Sequence, residues 1–189
     1  VSTSGSDSND GLSEANAVAT INHAVDIADG KIVILAGEYT VTSILNINKD
    51  LEITGQGDVT IKSNSKYSVE VWDDWEEEYV SETHNTLINN SANLKLDNIK
   101  FTLVPASIKD ELIYNIGNLY VTDCGFSNIK IASGRGVIQN AKGGYAEVKD
   151  TTFQTASSTY GAINNNGELL VDGCKFLDND RSKDSGVYS

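Results

Sequence analysis

The sequence holds no methionine, a single proline (Pro105), two arginines, two histidines and two cysteines. Each scarcity excludes something. Fourteen basic residues face 27 acidic ones, a net charge of −13. Nucleic acid is therefore excluded as a partner, because binding phosphates takes clustered Lys and Arg. Anionic membrane surfaces are disfavoured for the same reason. No apolar run approaches the ~20 residues of a membrane span, so no membrane insertion is expected. His23 and His84 have no second His or Cys at ligand spacing, which leaves zinc without support. No G-x-S-x-G string or phosphate-binding loop occurs. A disordered linker would be rich in Pro and Glu; this Pro-poor chain is not one. A sequence without Met, at position 1 or elsewhere, reads as a processed or excised piece of a longer protein whose leader is gone.

What the chain does have is a repeat. Leu87-Ile88, Leu112-Ile113, Val137-Ile138, Ala162-Ile163 and Val187-Tyr188 recur at a step of 25. Two residues past each Ile stands an Asn: Asn90, Asn115, Asn140 and Asn165. A second apolar pair follows in each unit, Leu94/Leu96, Leu119/Val121, Ala146/Val148 and Leu169/Val171. A third closes it, Ile99/Phe101, Cys124/Phe126, Thr151/Phe153 and Cys174/Phe176. Apolar residues at i and i+2 are the signature of a strand with one buried face. Three short strands per unit make one coil, and a coil buries its inward face only by stacking on another. The fold class expected is all-β, a right-handed parallel β-helix. Phe and Ile columns should run up its interior, with an Asn ladder at one corner. A leucine-rich repeat is rejected: its Leu pattern is denser and it often carries a helix per unit.

A single domain, 1–189, is expected. Residues 1–30 form an N-terminal cap, with a capping helix over 14–28 that buries Ala17, Ile21, Ala24, Val25 and Ala28. Ser13 is its N-cap and Gly30 its stop. First rungs occupy 31–64, an insertion loop 65–84, and regular rungs 85–189. The closing string Gly186-Val187-Tyr188-Ser189 aligns with the opening strand of a rung, so the chain reads as truncated inside a coil.

The insertion holds both Trp residues and a run of carboxylates from Glu70 to Glu82. Long loops on regular scaffolds often carry function. Candidate ligand-binding residues are therefore Tyr67, Trp72, Asp73, Asp74, Trp75, Glu76, Glu77 and Tyr79. The Trp rings would serve as sugar platforms, and the carboxylates as weak Ca²⁺ ligands at most; otherwise no cofactor is expected. A solvated acidic flap is the plainer account. Asp7 to Gly11 lacks the third ligand position and distal Glu of a calcium loop and reads as a turn. Asn89-Asn90-Ser91 is a sequon, which makes Asn89 the glycosylation candidate. Cys124 and Cys174 fall in one column two rungs apart, about 9.6 Å at a rung spacing of ~4.8 Å. A disulfide rarely spans more than ~7 Å between Cα atoms, so none is expected.

The opening strings VSTSGSDSNDGLSEANAVATINHAV, IVILAGEYT and LNINKDLEITGQG resemble the cap and first rungs of secreted pectate-lyase-like β-helix proteins. The units ELIYNIGNLYVTDCGF and GAINNNGELLVDGCKF are similar to repeats of adhesin-like surface proteins of methanogenic archaea. Chlamydial polymorphic outer-membrane proteins have related repeats. The resemblance implies an extracellular, cell-surface or secreted protein contacting a glycan or a cell-surface protein; the function expected is a binding or structural module with no catalytic residue. The alternative is a polysaccharide lyase or other carbohydrate-active enzyme. For that, Asp97, Asp123, Asp150 and Asp172 offer carboxylates on successive coils, though at two different offsets from Phe. Lys130, Arg135 and Lys142 are the nearest bases. A groove with converging carboxylates and a base would favour the enzyme, and a smooth flank a stalk.

Overall fold

Each alternating apolar pair becomes a strand, and the strands of successive units stack in register. The computed structural model describes residues 1–73, 78–104, 107–108, 110–131, 135–157, 161–179 and 186–188; at 69–73, 78–80, 82, 107–108 and 155–157 it describes the backbone alone. An N-terminal segment leads into helix α1 (Ile21–Ile27) and strand β1 (Lys31–Val41). The first full coil holds β2 (Leu45–Ile47) and the long β3 (Leu51–Ser63), and a hairpin of β4 (Tyr67–Asp73) and β5 (Glu78–His84) follows. The next coil contains β6 (Ile88–Asn90), β7 (Asn93–Asp97), β8 (Lys100–Leu103) and the short β9 (Ser107–Ile108). Then come β10 (Ile113–Asn115), β11 (Asn118–Thr122) and β12 (Gly125–Ile131), and after them β13 (Ile138–Asn140), β14 (Tyr145–Lys149) and β15 (Thr152–Ser157). The last described strands are β16 (Ile163–Asn165), β17 (Glu168–Asp172), β18 (Lys175–Leu177) and β19 (Val187–Tyr188).

Among the described residues, the first strands of the coils form a six-stranded parallel sheet, β2-β6-β10-β13-β16-β19. The second and third strands, with β1 and β9, form an 11-stranded sheet in which β3 pairs with both β7 and β8. The fold is an all-β parallel β-helix. Its register follows the repeat: Ile88, Ile113, Ile138 and Ile163 are paired in sequence, as are Leu94, Leu119, Ala146 and Leu169.

Inside, Phe101, Phe126, Phe153 and Phe176 stack with centroids 5.0, 4.9 and 5.1 Å apart and planes within 11°. The expected Asn ladder is present and wholly buried from Asn90 to Asn140. Each Nδ2 donates to the next rung's Oδ1, at 2.7 Å (Asn90 to Asn115), 2.8 Å (Asn115 to Asn140) and 2.7 Å (Asn140 to Asn165). The same amides donate to corner carbonyls, as Asn115 does to Tyr145 O at 2.9 Å. Buried backbone groups at the turn thus find partners that the short strands do not supply. Cys124 and Cys174 are free thiols in one column with Thr151 between them, whose Oγ1 accepts from Cys124 N at 3.3 Å.

The corner after the second strand explains the two Asp offsets. Asn98, Asp123, Asp150 and Gly173 share one position, with φ of 52°, 51°, 47° and 62°. Left-handed backbone there selects Asn, Asp and Gly. Asp97 and Asp172 stand one place earlier, at the strand ends, in register with Thr122 and Lys149. The four Asp residues form two turn columns and gather no site.

Two elements differ from the sequence reading. The helix spans Ile21–Ile27, not 14–28, and its N-cap is Thr20, whose Oγ1 accepts from His23 N at 3.2 Å. Ser13 caps nothing helical. The reason is competition for the backbone: Ala17 O accepts from Ser6 N and Asn9 Nδ2, and Val18 O from Ser2 N. The Asp7 carboxylate takes Ala19 N, Thr20 N and Thr20 Oγ1 at 2.8, 2.9 and 2.7 Å. Those groups are unavailable for i to i+4 bonds. Ile21, Ala24 and Val25 are buried as expected; Ala17 is buried in the preceding coil segment. The helix ends at Ala28 as its C-cap, two residues before Gly30. The second difference is the insertion, expected as a loop, whose described residues form two antiparallel strands with Trp72 paired to Tyr79.

Candidate ligand-binding cleft

In every three-residue strand of the six-stranded sheet, the outer residues point inward and the middle one points out. The outward column, in register, reads Asn46, Asn89, Tyr114, Gln139, Asn164 and Tyr188. Outward residues of a sheet are normally exposed, yet Gln139 and Asn164 are each 7% exposed. They lie on the floor of a cleft of about 910 Å³ that is open to solvent, and Asn89 and Tyr114 line it too. One wall comes from residues at or ahead of the strands, Tyr67, His84, Thr86, Glu111 and Arg135. The other comes from residues just after them, Ala141, Lys142 and Asn166.

The first wall is tied across three rungs. The Glu111 side chain, 3% exposed, accepts from Arg135 Nη1 at 2.8 Å and from Thr86 Oγ1 at 3.3 Å. Asp110 accepts from Asn85 N at 2.8 Å and shares a 3.2 Å hydrogen bond with His84 Nδ1. The Tyr67 ring stacks on His84 at 5.5 Å and 24°. Each acid therefore takes bonds from the rung below, and Glu111 one from the rung above. Buried carboxylates persist in this way, paired and hydrogen-bonded. Burial pushes the Tyr67 phenol above its ordinary value, and the nearby Asp110 and Glu111 charges add to that. The hydrogen bond to Glu111 raises the Arg135 guanidinium further above its ordinary value, so it stays charged.

Comparison with family models, curated proteins and solved structures finds no match to the chain.

The cleft must be read from its own chemistry. It presents two phenol rings, planar amides, one half-exposed guanidinium and the Lys142 ammonium. These groups hydrogen-bond hydroxyls and carbonyls and stack on flat rings. Among the described residues no three His, Cys, Asp or Glu side chains gather to hold a metal ion, and no helix is long and apolar enough to cross a membrane.

Of the candidates chosen from sequence, Tyr67 lies in the cleft. Trp72, Asp73 and Tyr79 sit on the hairpin strands, with their side chains outside the described residues. Asp74, Trp75, Glu76 and Glu77 fall outside the described residues altogether. Asn89 lines the cleft and donates to Asn46 Oδ1 at 3.2 Å. Arg135 and Lys142 are in the cleft, whereas Lys130 is exposed on β12. Sequence reasoning passed over Tyr114, Gln139 and Asn164, although the column at one residue past each Ile was there to be read. Asp110 and Glu111 carried no signal, because the residues ahead of the strands vary from rung to rung.

Proposed function

We propose that the chain is a non-catalytic binding module of an adhesin-like extracellular surface protein, and that its cleft holds a glycan of a host or neighbouring cell. The observation that carries this is the cleft itself: Tyr114, Gln139 and Asn164 present a ring and two amides from consecutive rungs along one open floor, beside Tyr67. An extended chain with repeating hydroxyls fits a floor that repeats. The carboxylates of the wall are engaged by Arg135, Thr86, His84 and Asn85, which supports a positioning role for them. Glycan-array binding of the wild type, of Tyr114→Ala and of a chain lacking 66–83 tests the reading. Retention by the wild type and loss in Tyr114→Ala is expected; a wild type that retains no glycan sinks it.

One observation favours the second reading, a polysaccharide lyase or related enzyme. The flank is not smooth, and Glu111 and Arg135 share a cleft with Lys142. Incubation with a polysaccharide panel, followed by reducing-end and unsaturated-product assays, separates the two. Turnover abolished by Glu111→Gln would establish an enzyme.

A further inference from the structure

The outward column of the six-stranded sheet contains two short amide ladders broken by a tyrosine. Asn89 Nδ2 donates down to Asn46 Oδ1, and three rungs on Asn164 Nδ2 donates down to Gln139 Oε1 at 2.8 Å. In a ladder of this sense every amide oxygen takes its donor from the rung above. The sense fails beneath each tyrosine, at Asn89 and again at Asn164. Tyr188 stands in register above Asn164 and has no amide to continue the series. The Asn164 Oδ1 is shut from solvent on the cleft floor and accepts no hydrogen bond. A buried acceptor left in that state keeps the full penalty of losing its water. The floor beneath is firm: the Gly136 position lies so close that a Cβ there would sit 2.5 Å from Asn164 N. The side-chain amide is freer, since the terminal torsion of Asn is broad, and contact with a ligand requires it to turn Oδ1 toward the cleft.

We propose that the cleft takes a neutral, hydroxyl-rich glycan chain rather than an acidic one, and that the Gln139–Asn164 amide pair is the floor that reads its hydroxyls. The proposal rests on the glycan-binding reading above and adds the ligand's charge and its contact. The orphaned group is an acceptor, so it calls for an O–H and repels a carboxylate. Arg135, the guanidinium that an acidic sugar would seek, is already held by buried Glu111 at 2.8 Å. The net charge of −13 opposes the approach of an extended polyanion. Arg135 and Lys142 at the rim oppose a cationic chain.

Isothermal titration of the whole chain with neutral hexamers of β-1,4-linked glucose, mannose and N-acetylglucosamine, and with hexagalacturonate, tests this. At least one neutral hexamer should bind and hexagalacturonate should not. Asn164→Leu should weaken that binding about tenfold or more, and Asn164→Asp, which keeps an acceptor, should stay within about threefold. Thermal unfolding of both variants checks that the floor is intact. Tighter binding of hexagalacturonate, or unchanged affinity in a folded Asn164→Leu, overturns the proposal while glycan binding stands. Binding of none of the four overturns both.

Discussion

Removing one ring from the middle of the Phe stack tests the register directly. Phe153 is fully buried, with Phe126 at 4.9 Å on one side and Phe176 at 5.1 Å on the other, both nearly parallel. Phe153→Ala removes a fully buried ring, which costs about 3–5 kcal/mol in tightly packed cores. Two offset ring contacts worth about 0.5–1.5 kcal/mol each place it toward the upper end. The coils above and below are clamped by their own ladder bonds, so the gap cannot close easily. Phe176→Ala makes the internal comparison. Among the described residues its ring has one neighbour in the stack, and it is only partly buried, so its loss should be roughly half as large. Equilibrium urea unfolding, followed by far-ultraviolet circular dichroism with a check of two-state behaviour, measures both. A loss under about 1 kcal/mol for Phe153→Ala, or a larger loss for Phe176→Ala, would refute the stacked interior.

Three further outcomes follow from the same structure. Asn115→Ala should destabilise by about 2–4 kcal/mol, because Asn140 Oδ1 and Tyr145 O lose a donor in the interior; urea unfolding measures it, and a neutral substitution would deny the ladder any energetic role. Thiol counting on the unfolded, unreduced monomer should find two free thiols, and in the native chain Cys174 should label before Cys124, whose thiol burial pushes up to about 12; equal native rates would contradict the buried column. The Asp7 carboxyl is held below its ordinary value, first by the Thr20 hydroxyl and then by backbone amides. Its stabilisation is therefore full above the unfolded-state value and lost as pH falls through the lower folded one. Asp7→Asn should narrow the stability difference between neutral and acid pH, and an unchanged acid limb in pH-dependent thermal melts would count against the contact.

The parts of this protein legible in sequence are those that recur at a fixed step. Ile88, Asn90 and Phe101 meet their counterparts one coil up because a parallel β-helix converts a sequence period into a spatial column, so the interior ladders and the unbridged cysteines could be read from spacing alone. The Asp pairs at two offsets were also visible, but only the backbone showed that Asp123 and Asp150 occupy a left-handed corner and Asp97 does not. Tertiary structure alone decided the rest. The helix starts at Ile21 because the first ten residues fold back and take the carbonyls of Ala17 and Val18, a pairing no local pattern announces. The cleft is assembled from Tyr67, Glu111, Arg135 and Asn164, which lie on different rungs and mostly outside the repeating positions. Periodicity dictates what points inward, since every coil must fill the same core; what gathers on the flank depends on the irregular segments between coils, and these become neighbours only when the coils are stacked.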